Sequence, residues 1–68
     1  MKDFCMRLKA ARKKAGLSQE AASQQLDIRY STYRRYEQGG TEPTISVEAR
    51  MARLYGVSLD YLAGLMEQ

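Results

Sequence analysis

Three arginines in one short stretch of the chain are well suited to bind a polyanion. Arg29, Arg34 and Arg35 belong to residues 18–39, a segment whose pattern predicts two short helices around a tight turn. A guanidinium group pairs with phosphate oxygens and can also donate two parallel hydrogen bonds to the edge of a guanine. The pattern therefore predicts a second helix whose cationic outer face could enter a major groove.

Apolar residues within the same segment would hold the two helices together. Ser23 is small enough for the helices to cross closely, and the polar residues between the apolar ones point outward. The apolar positions expected at the helix crossing are Ala22, Leu26, Ile28, Tyr33 and Tyr36.

The composition limits the chemistry that a chain of 68 residues can perform. The sequence contains no His, the commonest general base and metal ligand. Its single cysteine, Cys5, excludes an intrachain disulfide and a cysteine-rich zinc site, and we expect it to be a small buried residue. No residue can be assigned to a reaction. We therefore expect no enzymatic activity, no metal and no cofactor.

Length and hydropathy predict one small domain over residues 1–68. A chain of this size buries a core only when several helices share it. No apolar run approaches the ~20 residues that span a bilayer, and the amino terminus lacks the apolar core of a signal peptide. We expect a cytoplasmic protein that makes no membrane contact and that associates with the nucleoid through DNA.

The net charge of +3 is unevenly distributed along the chain. Residues 1–36 carry nine Lys or Arg and three acidic residues, a balance of +6, whereas residues 37–68 carry two and five, a balance of −3. The basic half coincides with the helix pair and would steer a polyanion toward one side of the molecule. For the individual lysines of the first helix, a simply solvated surface is the alternative interpretation.

Capping residues and glycines predict five helices and no strands. Ser18 and Ser58 are suited to N-cap two of them, and glycines end several. The turn within the helix pair falls at Asp27, a residue type that tolerates a positive φ better than most. The predicted ranges are 3–15, 19–26, 30–38, 46–55 and a last helix that follows Ser58 and includes Leu59, Tyr61, Leu62, Leu65 and Met66.

Several short motifs occur in a specific order: Arg7-Leu8-Lys9, Gly16-Leu17-Ser18-Gln19-Glu20, Tyr36-Glu37-Gln38-Gly39, Glu42-Pro43, and Leu54-Tyr55-Gly56-Val57-Ser58-Leu59-Asp60-Tyr61-Leu62. Together they resemble the DNA-binding domain of the Cro and CI repressors, the XRE-like helix-turn-helix family. The resemblance covers almost all of the chain. It implies an all-α, compact five-helix bundle of the lambda-repressor-like type, in which helices 2 and 3 form the helix-turn-helix.

The resemblance also implies which residues contact double-stranded DNA. Base readout would fall to Tyr30, Ser31 and Arg35 on helix 3, and a bidentate contact from Arg35 to guanine would be worth ~1–3 kcal/mol of discrimination. Gln19 opens helix 2, where amide donors and the helix dipole favour phosphate. The full set expected at the DNA backbone is Gln19, Arg12, Arg29, Arg34, Gly40 and Thr41.

Arg12 and Glu37 match a pair that, in the family, joins helix 1 to the end of helix 3. The pair would either orient Arg12 toward the DNA backbone or serve as a tie without a DNA role, and both interpretations stay open. Tyr33 and Tyr36 suit core packing better than base stacking, whereas Tyr30 is available to read a base.

The last helix and the end of helix 4 carry more apolar surface than one short helix needs, which favours a homodimer. The expected dimer contacts are Leu54, Leu59, Tyr61 and Leu65. Family members imply a sequence-specific transcriptional regulator, here expected to be a repressor that reads the major groove as a dimer. The alternative is a protein-interaction module, such as an antitoxin or a partner of a regulator. A protein antagonist could compete for the dimer face.

Overall fold

Five α-helices account for the fold of residues 2–66, the part of the chain described by the computed structural model. None of these residues lies in a strand, which confirms the all-α prediction, and none of their helices is long and apolar enough to cross a membrane. α1 packs against α3, α4 and α5, and α2 packs against α3 and α4. The helices are α1 (Lys2–Lys14), α2 (Gln19–Leu26), α3 (Tyr30–Gln38), α4 (Ile45–Tyr55) and α5 (Leu59–Leu62).

Side-chain hydroxyls begin three of the helices. Ser18, Thr44 and Ser58 have extended backbones, and each hydroxyl accepts a hydrogen bond from the backbone N–H three residues ahead. Such an N-cap contributes about 1 kcal/mol to stability. The residue that precedes α3, Arg29, makes no side-chain cap hydrogen bond. α3 therefore begins without the stabilisation of a side-chain cap.

A left-handed residue forms the turn between α2 and α3. Asp27 has φ 59° and ψ 45°, and it is the one non-glycine residue with positive φ among residues 2–66. Its N–H donates to the carbonyl of Gln24, and the N–H of Ile28 donates to the carbonyl of Ser23 at 3.0 Å. These two bonds satisfy carbonyls at the end of α2. The turn predicted at Asp27 is confirmed.

All five helices contribute side chains to one core. At the helix pair, Ala22, Leu26 and Tyr33 are buried, while Ile28 and Tyr36 are half-buried against the core, as their spacing predicts. The buried apolar residues are Phe4, Leu8, Ala11, Ala22, Leu26, Tyr33, Met51, Ala52, Tyr55 and Leu62.

Cys5 is half-buried, and therefore less enclosed than the sequence predicts. It lies where α1 passes the end of α3. A Cβ atom built on Gly39 would come within 3.2 Å of its Sγ atom, and Gly39 itself has φ 88°. Both the backbone conformation and the close approach of α1 therefore favour glycine at this helix end.

The last helix is shorter than the sequence predicts. α5 ends at Leu62, and Leu65 and Met66 follow in turns. Gly64 takes φ 80°, and the N–H of Leu65 donates to the carbonyl of Asp60 at 2.8 Å. This hydrogen bond caps the helix end. The apolar pattern continues beyond the point at which the backbone turns, so periodicity alone overestimates the helix.

The left-handed turn can be tested by substitution at Asp27. Asp27→Val should lower the free energy of unfolding by about 1–2 kcal/mol, because a β-branched residue is strained at positive φ. Asp27→Gly should not destabilise the fold, because glycine adopts this conformation without a Cβ clash. Urea denaturation followed by circular dichroism measures both variants. Equal destabilisation by the two substitutions would contradict a backbone origin.

Candidate nucleic-acid interface

The packing of α2 against α3 orients the candidate interface. Ala22, Ser23 and Leu26 of α2 are all buried. The hydroxyl of Ser23 donates to the carbonyl of Glu20 at 2.7 Å, which satisfies this buried polar group within its own helix. Small side chains at the crossing let the two helices approach closely. α3 is therefore held by its inner face.

The opposite face of α3 carries the residues predicted to contact DNA. Tyr33 and Glu37 are buried, whereas Arg34 and Arg35 between them are exposed. Positions three and four residues apart share one side of a helix, so this alternation separates an inner from an outer face. The exposed residues on α3 and at its start include Arg29, Tyr30, Ser31, Arg34 and Arg35.

Two of these outer residues contact each other. The guanidinium carbon of Arg34 lies 5.5 Å from the ring centroid of Tyr30, one helical turn earlier. A cation–π contact at an exposed site contributes about 0.5–1 kcal/mol and restricts a long side chain. The spacing of four residues between Tyr30 and Arg34 is a sequence signal for such a pair, although each residue is predicted above only as a separate DNA contact.

A buried ion pair joins α1 to the end of α3. The Nε atom of Arg12 donates to Oε2 of Glu37 at 2.7 Å, and Nη2 donates to Oε1 at 3.2 Å. The two side chains are 10% and 1% exposed. Nη1 of Arg12 also donates to the carbonyl of Leu17 at 2.8 Å. The pair of Arg12 and Glu37 predicted from the sequence is thus present. Glu37 and the Leu17 carbonyl together accept hydrogen bonds from all three nitrogen atoms of the guanidinium group.

The Glu37 carboxylate receives two further hydrogen bonds. Nε2 of Gln19 donates to Oε1 at 3.0 Å, and the hydroxyl of Tyr33 donates to Oε2 at 2.6 Å. The oxygen of Tyr33 lies 2.6 Å from that of Tyr55. Because the one proton of Tyr33 is directed to Glu37, Tyr55 acts as the donor in this second bond. A network of hydrogen bonds therefore runs from α4 to the first residue of α2.

The sequence predicts part of this network and misses the rest. Tyr33 is in the core as predicted, but the hydrogen bonds of its hydroxyl group are not foreseen. The spacing of four residues between Tyr33 and Glu37 on one helix is a signal for their contact. The bond between Tyr33 and Tyr55 leaves no local signal, because the two residues lie on helices far apart in the chain.

The network determines which of its groups carry charge. Burial opposes ionisation of Glu37, but hydrogen bonds from Arg12, Tyr33 and Gln19 lower the pKa of its carboxyl group below the ordinary value. The hydrogen bond to Glu37 raises the pKa of Arg12. Burial raises the pKa of Tyr33, and it raises the pKa of Tyr55 to about 12. The ion pair is charged at neutral pH, and both phenols are neutral.

The backbone that follows α3 differs from the predicted phosphate site in one respect. Gly40 is exposed and Thr41 is half-buried. The N–H of Gly40 donates to the carbonyl of Arg35 at 3.0 Å, as does the N–H of Gly39. The N–H of Gly40, which the sequence predicts to contact a DNA phosphate, is therefore already engaged in this helix cap.

The predicted dimer residues have unequal surroundings. Leu54, Leu59 and Tyr61 are half-buried against the core, whereas Leu65 is 76% exposed. The guanidinium carbon of Arg7 lies 4.9 Å from the Tyr61 ring centroid, and Nη1 donates to the Tyr61 carbonyl at 3.3 Å. The chain itself thus covers one face of Tyr61.

The buried ion pair can be tested by acid titration of stability. Glu37→Gln should lower the free energy of unfolding by about 3 kcal/mol at pH 7, because Arg12 loses its buried partner. The pKa of Glu37 is lowered on folding, so its contribution is present above about pH 4.5 and is lost as the pH falls through the lower, folded value. Acidification should therefore destabilise the parent protein more than the variant.

Urea denaturation between pH 7 and pH 3 measures this difference. Glu42→Gln removes one carboxylate at an exposed position and serves as the control. The control should retain the acid dependence of the parent. The assignment to Glu37 would be wrong if Glu37→Gln and the parent lost the same free energy on acidification.

Comparison with known proteins relates this chain to a helix-turn-helix family. The helix-turn-helix family model matches residues 8–62. Two similar proteins come from Bacillus subtilis (strain 168): the HTH-type transcriptional regulator ImmR, 40% identical over 58 residues, and the uncharacterized HTH-type transcriptional regulator YobD, 36% identical over 64 residues. These alignments cover 85% and 94% of this chain but 46% and 57% of the relatives.

The chain therefore spans about half the length of the curated relatives it matches. No solved structure shows a significant match. The matched range contains the whole of α2, the turn at Asp27 and the whole of α3, together with α4 and α5. With a family match over most of its length and five helices around one core, the chain belongs to the Cro/CI-type, XRE-like helix-turn-helix family and has its lambda-repressor-like fold.

Proposed function

We propose that residues 1–68 form one DNA-binding domain of a sequence-specific transcriptional regulator, which represses by occupying a promoter. The observation that carries this proposal is the two-sided character of α3. Its inner face is held by buried Tyr33 and Glu37, and its outer face exposes Arg34 and Arg35. A rigid helix with a cationic outer face suits the major groove of double-stranded DNA.

Base readout falls to Arg35, Tyr30 and Ser31 on this outer face. Arg35 is exposed, and a guanidinium can donate two hydrogen bonds to O6 and N7 of guanine. Tyr30 and Ser31 belong to the first turn of α3, the part of a recognition helix that usually approaches the base edges. The contact of Arg34 with Tyr30 favours an Arg34 guanidinium that lies beside the first turn of α3.

Phosphate contacts would surround the base-reading residues and supply affinity without sequence information. Gln19 begins α2, where the helix dipole and its first amide groups favour an anion. Arg12, whose side chain is 10% exposed, uses three of its five N–H donors within the protein, and we assign the remaining two to a phosphate. The proposed backbone contacts are Gln19, Arg12, Arg29, Arg34 and Thr41, without Gly40, whose N–H already donates to the carbonyl of Arg35.

Two copies would bind as a homodimer. The exposed Leu65, together with the exposed parts of the half-buried Leu54, Leu59 and Tyr61, supplies apolar surface for a symmetric contact. Pairing through α5 and the end of α4 would set two copies of α3 about one DNA turn apart, ~34 Å. The operator would then have two-fold symmetry.

A protein-interaction module is the second candidate function. Leu65 and Met66 are 76% and 50% exposed, and such apolar side chains at one end of the chain suit a protein partner or an antagonist. We assign no enzymatic activity, metal or cofactor to either candidate. Binding to DNA would place the protein in the cytoplasm, at the nucleoid.

Selection from a randomised pool of duplex DNA tests the proposed function. The purified protein should enrich a palindromic motif at near-physiological salt, and the half-site spacing should equal about one helical turn. The expected binding weakens steeply as salt increases, because phosphate contacts release counterions. Retention of DNA without an enriched motif would instead favour the protein-interaction module.

Single substitutions separate base readout from phosphate contact. Arg35→Ala should relax the preference at one base position of the selected motif and weaken binding by ~1–3 kcal/mol. Gln19→Ala should weaken binding to all sequences about equally, because phosphates carry no sequence information. Repeated selection with each variant gives both results. An unaltered motif for Arg35→Ala would show that Arg35 does not read a base.

A further inference from the structure

We infer that Tyr33 and Tyr55 are positioning residues for the phosphate-contacting side of the interface, and that they act through Glu37 on Gln19 and Arg12. Neither tyrosine lies on the outer face of α3, and both are buried in the core. The inference rests on the proposed function, because Gln19 and Arg12 are there assigned to the DNA backbone.

The geometry around Glu37 supports the first step. Its Oε2 atom accepts from Tyr33 and from Nε of Arg12, and its Oε1 atom accepts from Gln19 and from Nη2 of Arg12. A carboxylate offers about four lone-pair sites, so all of them are used. A carboxylate with four directed donors has one favourable orientation.

Loss of one donor would release the others. Without the Tyr33 hydroxyl, one site on Oε2 becomes unpaired, and the carboxylate can rotate about its terminal bond. Rotation would lengthen the bonds that Gln19 and Nη2 of Arg12 donate to Oε1, and the bond that Nε of Arg12 donates to Oε2. Two side chains that are ordered in advance would then have to be ordered on binding, which weakens association.

Tyr55 adds a second step from the far side of the core. Its hydroxyl donates to the oxygen of Tyr33 at 2.6 Å, and a hydroxyl that accepts a hydrogen bond becomes a better donor in its own bond. Tyr55 therefore strengthens the bond from Tyr33 to Glu37 without touching Glu37. The effect of losing Tyr55 should be smaller than that of losing Tyr33.

Tyrosine-to-phenylalanine substitutions test the inference because they keep the packed rings. Tyr33→Phe should weaken binding to the selected duplex about tenfold, and Tyr55→Phe about threefold. Tyr36→Phe changes a half-buried tyrosine of the same helix outside the network and should bind like the parent. Fluorescence anisotropy at fixed salt measures affinity, and thermal denaturation confirms that each variant is folded during the assay. Selection should return an unaltered motif for all three variants.

A purely structural role makes a different prediction. Each substitution would then lower the melting temperature, while the folded variant would bind the selected duplex with the affinity of the parent. Coupling gives a further readout. In a double variant that carries both Gln19→Ala and Arg12→Ala, the further substitution Tyr33→Phe should cause no additional loss of affinity for the duplex. If Tyr33→Phe does not fold, Tyr55→Phe alone decides the matter.

Nuclear magnetic resonance provides a readout without DNA. The side-chain amide signal of Gln19, assigned by its absence in Gln19→Ala, should move in Tyr33→Phe and less in Tyr55→Phe, and stay in place in Tyr36→Phe. If the parent enriches no duplex, the proposed function fails, and this signal still reports whether Gln19 is positioned. Unchanged affinity together with an unchanged Gln19 signal in folded Tyr33→Phe and Tyr55→Phe would overturn the inference.

Discussion

The buried carboxylate of Glu37 is the group on which the relative orientation of four helices depends. It lies at the end of α3 and binds Arg12 of α1, Gln19 of α2 and Tyr33, whose hydroxyl in turn meets Tyr55 of α4. Burial of two charges has a large desolvation cost, and it is tolerated only where hydrogen bonds satisfy both groups. Packed apolar side chains restrict helices to a small set of crossing angles, and directed hydrogen bonds add a further geometric constraint. The Glu37 network therefore defines how α3 sits on the rest of the protein.

This arrangement explains how a helix of nine residues can have two separate roles. Tyr33 and Glu37 connect it to the core, and the arginines next to them in sequence face away. Neighbouring arginines on the outer face repel one another, which disfavours the helix. On the inner face, four hydrogen bonds to other helices hold α3 in place. The exposed contact of Arg34 with Tyr30 further limits the freedom of one cation. The hydrogen bonds of the inner face and the contact between Arg34 and Tyr30 thus both favour an outer face of α3 that is ordered before any partner binds.

Local chemistry made much of the fold predictable. Ser18 and Ser58 as caps and Asp27 as the turn follow from the preferences of single residues, and the family resemblance indicates the pair of Arg12 and Glu37. Contacts between distant residues were less accessible: a tyrosine pattern predicts burial, but it does not reveal that Tyr33 and Tyr55 share a hydrogen bond. Apolar spacing does not predict the early end of α5 at Leu62, because the apolar pattern continues beyond Gly64, the residue at which the backbone turns.

The contacts of Arg7 have a consequence for the order of folding. Its guanidinium group reaches the carbonyls of Tyr61 and Met66, 54 and 59 residues later in the chain, and stacks on the Tyr61 ring. Closing so long a loop costs more chain entropy than forming the adjacent pair of α2 and α3. α5 has only four residues and cannot persist as an isolated helix. We therefore expect the contact between the first and last helices to form late, after α1 to α4 have provided a surface on which α5 can dock.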